Sequence, residues 1–200
     1  MVEFKSSETK TNLMRAFAGE SQARNRYTIA AARAKEQNLP VIHDLFVYTA
    51  KQELEHAEIF YDFLKQMTGE KLTISADYPV DNYESIEKLL RAAQHGEEEE
   101  HDVIYMNFSK KATEEGFEQI ATAFKQIALI EKSHAERFKK FADMMENNAL
   151  FSSETETIWI CQNCGHIQES KSAPEKCPVC SAAQGWFLRK SMSPYGTDEL

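Results

Sequence analysis

The sequence predicts a mainly α protein: an antiparallel four-helix bundle followed by a small β-type module built around a four-cysteine metal site. Three observations predict it. Apolar residues recur at helical spacing through long stretches between residue 8 and about residue 148. The two halves of that region repeat each other, including their buried-type Glu and His residues. The remaining C-terminal residues change character and hold all four cysteines, in two Cys-x-x-Cys pairs.

The helices are expected near 8–37, 40–67, 84–115 and 117–148. Pro40 suits the first turn of the second helix, where its missing N–H costs nothing. Gly69 suits the end of that helix. Residues 70–83, with Pro79 and several turn formers, read as the long connection across the bundle. Gly116 separates the third helix from the fourth. In the fourth, Phe117, Ile120, Phe124, Ile127, Ala128, Ile130, Phe138 and Phe141 form a core stripe. Asn147 and Asn148 end it. The bundle is thus assigned to residues 1–148, a polar linker to 149–155 and the β module to 156–200. Within the module, Thr157–Ile160 and Gly185–Leu188 read as strands.

An offset of 78 residues maps Tyr27 on Tyr105, Ala34 on Ala112, Ile42 on Ile120, Phe46 on Phe124 and Ala50 on Ala128. It also maps Glu53 on Glu131, His56 on His134, Phe60 on Phe138 and Phe63 on Phe141. Glu20 maps on Glu97 at 77 instead. One residue has been gained between Glu97 and Tyr105, and helices absorb such an insertion as a π-bulge. The bulge is expected around residues 98–104.

Each half carries Gly-Glu (Gly19-Glu20, Gly96-Glu97) and then Glu-x-x-His (Glu53 to His56, Glu131 to His134). A Glu and a His three apart share a helix face. A single such pair would be an ordinary solvated one. Two helices each giving a Glu, and two each giving Glu-x-x-His, make a site for two iron or manganese ions inside a bundle. All four Glu residues fall near the middle of their helices, so they meet at one level; a shift of ten residues would misplace a ligand by about 15 Å. Glu100, three after Glu97, is a further candidate ligand. Glu98 and Glu99 read as a solvated acidic face and His101 as a surface residue. Tyr27 and Tyr105 are candidates either for core packing or for hydrogen bonds that orient a carboxylate. His43, His95 and His166 have no such partner logic.

The net charge of −9 argues against nucleic-acid or anionic-membrane partners. No apolar stretch approaches the roughly 18–20 residues needed to span a bilayer. Met1–Lys5 contains no apolar run, so no signal peptide is expected. Thr197–Leu200 lacks the Lys of an ER-retention signal. With no export signal, Cys161, Cys164, Cys177 and Cys180 are expected to be metal thiolates rather than disulfides. Two such knuckles build a tetrahedral four-sulfur site, and so small a module relies on its metal to fold. Spacing alone leaves iron and zinc open.

Together, Glu20, Glu53-x-x-His56, Glu97-x-x-Glu100, Glu131-x-x-His134, Cys161-x-x-Cys164 and Cys177-Pro-x-Cys180 closely resemble the rubrerythrins over nearly the full chain. The resemblance implies a ferritin-like bundle with a C-terminal rubredoxin-like domain. It implies two iron ions, oxo-bridged when oxidised, and a third iron on the cysteines. It implies a non-haem peroxidase reducing hydrogen peroxide to water in defence against oxidative stress. Electrons would come from NADH through a separate reductase or rubredoxin. A cytoplasmic homodimer or larger assembly is also implied. Ferroxidase-type iron handling is the alternative, sharing the bundle but having no use for the cysteine module. No Gly-x-Gly-x-x-Gly fingerprint is present, so NADH is not expected to bind this chain by that motif.

Overall fold

The computed structural model describes residues 2–194; Thr197–Leu200 therefore lies outside the described residues. Five α-helices make four rods. α1 spans Glu8–Glu36, α2 Pro40–Phe63, α3 Ile86–Glu99, α4 Tyr105–Glu115 and α5 Glu118–Glu146. α3 and α4 are one rod, joined through a π-helical turn at Glu100–Ile104. Its signature is the Tyr105 N–H donating to the Glu100 carbonyl, five residues back. The π turn falls inside the window where the repeat gains a residue.

Local chemistry sets the ends. The Ser7 and Ser85 hydroxyls accept from the Lys10 and Lys88 N–H groups and start α1 and α3. Pro40 opens α2. Gly116 stops α4 in the left-handed conformation, at φ 88°. α2 ends earlier than expected, at Phe63, and passes through a 3₁₀ turn at Lys65–Met67 before the left-handed Gly69. Residues 71–83 cross the bundle without helix or strand. Among the described residues, no helix is long and apolar enough to cross a membrane.

The core has two apolar clusters stacked along the bundle. One gathers Tyr27, Ile42, Phe46, Leu90 and Phe138; the other gathers Leu13, Phe60, Tyr105, Ile120 and Phe124. Each contains a three-ring packing unit. Tyr27, Phe46 and Phe138 lie 5.1–5.9 Å apart between ring centroids. Tyr105, Phe124 and Phe60 lie 5.0–6.0 Å apart. The offset of 78 turns one unit into the other, so the repeat read in the sequence is a repeat of packing. Each ring pair contributes about 0.5–1.5 kcal/mol beyond burial.

The C-terminal module is a three-stranded antiparallel sheet in the order β2-β1-β3, with β1 at Ser152–Cys161, β2 at Ile167–Ser172 and β3 at Phe187–Arg189. Ser152–Thr155, expected in the linker, belong to β1: Ser152 pairs with Ser172, and the register shifts before Thr157. Trp159, Cys161, Cys177 and Phe187 fill a small core of their own. The module docks on the end of the bundle. Leu150 and Leu188 join the bundle's Ile42 cluster. Arg189 donates to the Ala149 and Ser152 carbonyls. Gly185 lies so close to the turn between α1 and α2 that a Cβ there would sit 2.0 Å from the Asn38 carbonyl oxygen.

Candidate metal centres

Glu20 (α1), Glu53 and His56 (α2), Glu97 (α3), and Glu131 and His134 (α5) converge where the two apolar clusters meet, and all six are buried. The i, i+3 spacing puts each Glu-x-x-His pair on one inward face. The His56 Nδ1 atom lies 2.9 Å from Glu131 Oε1, 3.3 Å from Glu53 Oε2 and 3.8 Å from Glu20 Oε2. The His134 Nδ1 atom lies 2.7 Å from Glu131 Oε2, 3.0 Å from Glu53 Oε1 and 3.8 Å from Glu97 Oε2. Glu53 and Glu131 therefore give one oxygen to each group, whereas Glu20 and Glu97 each serve one.

Those eight donor atoms are buried and, among the described residues, make no hydrogen bond. Eight orphaned polar atoms in a core would cost far too much unless something binds them. They divide into two sets of four, each within 4.8 Å. Most contacts near 3 Å match the roughly 3 Å edge between ligands on a metal with bonds of about 2.1 Å. The residues fit a pair of metal ions.

Electrostatics agrees. Burial, then the charge of Glu131, pushes the Glu20 carboxyl well above its ordinary range. Burial, then Glu53, pushes Glu97 up to about 8. Burial also works to raise Glu53, but the imidazoles of His134 and His56 outweigh it and lower Glu53 to about 2. Burial disfavours a charged His134, yet Glu131, Glu53 and Glu97 raise it to about 12. His56 is raised likewise. The cage demands positive charge, as protons or as cations.

The hydroxyl of Tyr27 donates to Glu97 Oε1 and that of Tyr105 to Glu20 Oε1, each at 2.5 Å. Burial, followed by neighbouring carboxylates, pushes both phenols well above their ordinary range, so they stay protonated donors. Each outer carboxylate thus has one oxygen held by a Tyr and the other aimed at the cage. Glu100 is brought beside the cage, half-buried, but not into either set of four. Burial and then the charge of Glu20 raise its carboxyl. Glu98 accepts from Gln94, and Glu99 is exposed. His43 and His101 pair with Asp44 and Asp102. His95 is exposed, and His166 is half-buried.

Sequence reasoning missed Gln52 and Arg137. Gln52 Oε1 stands 3.1 Å from His134 Nε2 and accepts from Arg137 Nη1 at 3.2 Å. An oxygen already accepting from a guanidinium calls for the His134 Nε2–H as donor, which leaves the Nδ1 lone pair facing the cage. The available signal was a break in the repeat: the offset of 78 puts Ile130 opposite Gln52 and Ile59 opposite Arg137.

In the module, Cys161, Cys164, Cys177 and Cys180 form one cluster. Cys161 and Cys180 Sγ atoms are 3.8 Å apart, and Cys164 and Cys177 Sγ atoms 3.6 Å. These are not disulfides; they match the edge of a tetrahedron with metal–sulfur bonds of about 2.3 Å. A hydrogen bond from the Asn163 amide, then the Ala182 N–H, lowers the Cys180 thiol to about 6.

Fold and donor sets together define a di-iron-type carboxylate bundle of ferritin-like architecture joined to a rubredoxin-like four-cysteine module. Comparison with known proteins agrees. The rubrerythrin family model matches residues 11–142 and 88–159, and the model of the rubrerythrin rubredoxin-like domain matches residues 159–187. The chain is 43% identical to a rubrerythrin of Porphyromonas gingivalis, over 92% of this chain and 90% of that one. The structure of fully reduced, all-ferrous nigerythrin superposes with a TM-score of 0.62 at 30% identity, over 92% of this chain and 90% of the other. A Mycobacterium tuberculosis bacterioferritin shares the fold at a TM-score of 0.62 and 13% identity, over 70% of this chain and 87% of its own. The chain belongs to the rubrerythrin family.

Proposed function

We propose that this protein is a peroxidase that reduces hydrogen peroxide to water at a di-iron site, with electrons entering through an iron on the four cysteines. One observation carries the reading: a two-position carboxylate–imidazole cage, a spare carboxylate beside it and a four-thiolate site occur in one chain. The overall change is hydrogen peroxide plus two electrons and two protons giving two waters. Iron, when bound there, would supply the redox chemistry, one electron from each ion. Glu53 and Glu131 hold the two positions together. Tyr27 and Tyr105 fix Glu97 and Glu20 and keep their own protons. Glu100 and His56 are suited to serve one position in different oxidation states, since a neutral imidazole favours a ferrous ion and an anionic carboxylate a ferric one. Stopped-flow mixing of reduced protein with peroxide and with oxygen tests the reading. Peroxide is expected to oxidise it faster, and an oxygen rate equal to or above the peroxide rate overturns the assignment.

We infer an electron route between subunits, although reach alone does not exclude one within the chain. The module sits at the Asn38–Pro40 end of the bundle, and Glu53 is thirteen residues along α2, or about 20 Å. A head-to-tail homodimer would bring the cysteine site of one subunit beside the cage of another. Mixed dimers test this, pairing a Cys161→Ser, Cys164→Ser subunit with a Glu131→Ala, His134→Ala subunit. Recovered peroxidase activity with NADH and a reductase is expected. Its absence in properly metallated dimers would put the path within one chain. We assign the electron donor to an NADH-dependent reductase or rubredoxin, and the protein to the cytoplasm.

A further inference from the structure

Gly19 and Gly96, each just before an outer carboxylate of the cage, have no conformational reason to be glycine. Both lie inside helices, and neither has a positive φ. An interior helical glycine is less stable than alanine by about 0.5–1 kcal/mol. Crowding does not require glycine either. A Cβ on Gly19 would meet Glu100 Oε1 at 3.8 Å and the Tyr78 ring at 3.9 Å, and one on Gly96 would meet Arg26 Nη2 at 3.7 Å. These are ordinary contacts. What the two glycines leave is space.

That space is a cavity of about 380 Å³ between α1, the crossing segment and the π turn, lined by Gly19, Gly96, Tyr78, Glu100 and Tyr105 among others. On its inner side it is lined by Glu100, which stands beside the cage, and by Tyr105, whose hydroxyl holds the cage residue Glu20. Outward it shares Pro79, Gly96 and Glu99 with a wider groove of about 700 Å³. Its roof is fastened to α1. The Tyr78 hydroxyl donates to the Arg15 carbonyl at 3.1 Å, Arg15 Nε donates to the Ser75 carbonyl at 3.1 Å, and Arg26 pairs with Asp81 at 2.6 Å. At Gly19 one carbon atom would touch both Tyr78 and Glu100, so the passage there is about one methyl group wide.

We propose that this cavity is the port by which oxidant reaches the cage, and that the gap between Gly19 and Tyr78 sets its size limit. Hydrogen peroxide passes; branched alkyl hydroperoxides do not. The inference rests on the peroxidase reading, and two measurements separate their failures. In stopped-flow, reduced wild-type protein that hydrogen peroxide does not oxidise would sink the peroxidase reading itself. With that reaction present, Gly19→Ala should fold and load iron normally but react with hydrogen peroxide at least tenfold more slowly. Tyr78→Ala should raise the rate with tert-butyl hydroperoxide relative to hydrogen peroxide at least fivefold. An unchanged rate in the first variant, or an unchanged ratio in the second, overturns the port. The second measurement needs no turnover. In metal-loaded protein, the thiol of Gly19→Cys should react with methyl methanethiosulfonate but not with its benzyl analogue, as followed by peptide mass spectrometry. Adding Tyr78→Ala should admit both reagents. Equal labelling by both reagents before Tyr78 is removed, or labelling by neither, overturns the proposal.

Discussion

His56 and His134 occupy equivalent places in the two halves of the bundle, yet their backs are built differently. Behind His134 stand Gln52, then Arg137, which also donates to Thr49 and lies over the Tyr48 ring at 4.9 Å. Behind His56 the repeat offers Ile130, Ile59 and Ile127, and the first two are exposed. Among the described residues, His56 makes no hydrogen bond through Nε2. The α3–α4 rod also carries the π turn and Glu100, with no counterpart in α1. A near-symmetric set of donors has thus been given one anchored imidazole and one unanchored imidazole with a spare carboxylate nearby. The repeat supplies the ligands, and the departures from it around them make the two positions unequal.

The sharpest way to break the symmetry is to compare shared with outer carboxylates. Glu53→Ala or Glu131→Ala should remove a donor from both positions and abolish di-iron loading. Glu97→Ala should spare one position, leaving about one bundle iron where two are expected. Metal analysis after anaerobic reconstitution reads the difference; equal losses would mean that the outer and shared roles are not distinct. Next, Gln52→Leu should weaken iron at the His134 position by about 10–100-fold. Ile130→Gln, which transplants the anchor, should tighten the His56 position instead. Stepwise ferrous titration by calorimetry separates the two, and a Gln52→Leu protein with unchanged steps would refute the anchoring.

A third comparison sets protons against metal. Glu97 rises to about 8 and His134 to about 12 in the folded cage, so the folded chain binds more protons than the unfolded one. That stabilisation is complete below about pH 4.5 for Glu97 and below about pH 6.5 for His134, and is lost as pH rises through the folded values. Glu53, lowered to about 2, acts the other way only below about pH 4.5. Between pH 5 and 8 the metal-free protein should therefore melt progressively lower, by about 5 °C or more. Iron-loaded protein should show a flatter profile. Parallel profiles would contradict the electrostatic account of the cage. The smallest effect concerns the tyrosines. Tyr27→Phe and Tyr105→Phe each strip a donor from a buried carboxylate and should each cost about 1–3 kcal/mol in denaturant unfolding. Markedly unequal costs would extend the asymmetry to the outer carboxylates.

Most of the bundle was legible because its information is periodic. Helical spacing, Pro40 and Gly116 marked the rods, and the switch from 78 to 77 located the inserted residue. The convergence of Glu20, Glu53, His56, Glu97, Glu131 and His134 followed from equal heights along neighbouring helices. What was not legible breaks the period or depends on tertiary contact. Gln52 and Arg137 have aliphatic counterparts, so the repeat hid them. Ser152–Thr155 looked like linker because polar residues fit an exposed strand as well as a loop. Tyr78 lies in a crossing segment whose side-chain contacts no local pattern dictates.

The close approach of Gly185 to Asn38 has a consequence for how the molecule comes apart. With no Cβ at that position, the loop before β3 rests on the turn between α1 and α2, and Leu188 and Leu150 complete the apolar end of the bundle. The cysteine module therefore also serves as a stopper for that end of the bundle. Stripping a bound metal from the four cysteines would loosen the knuckles beside β3 and so uncover the floor of the helical core. The two domains share a fate: a chelator acting only on sulfur would be felt as softening of helices whose own ligands it never touches.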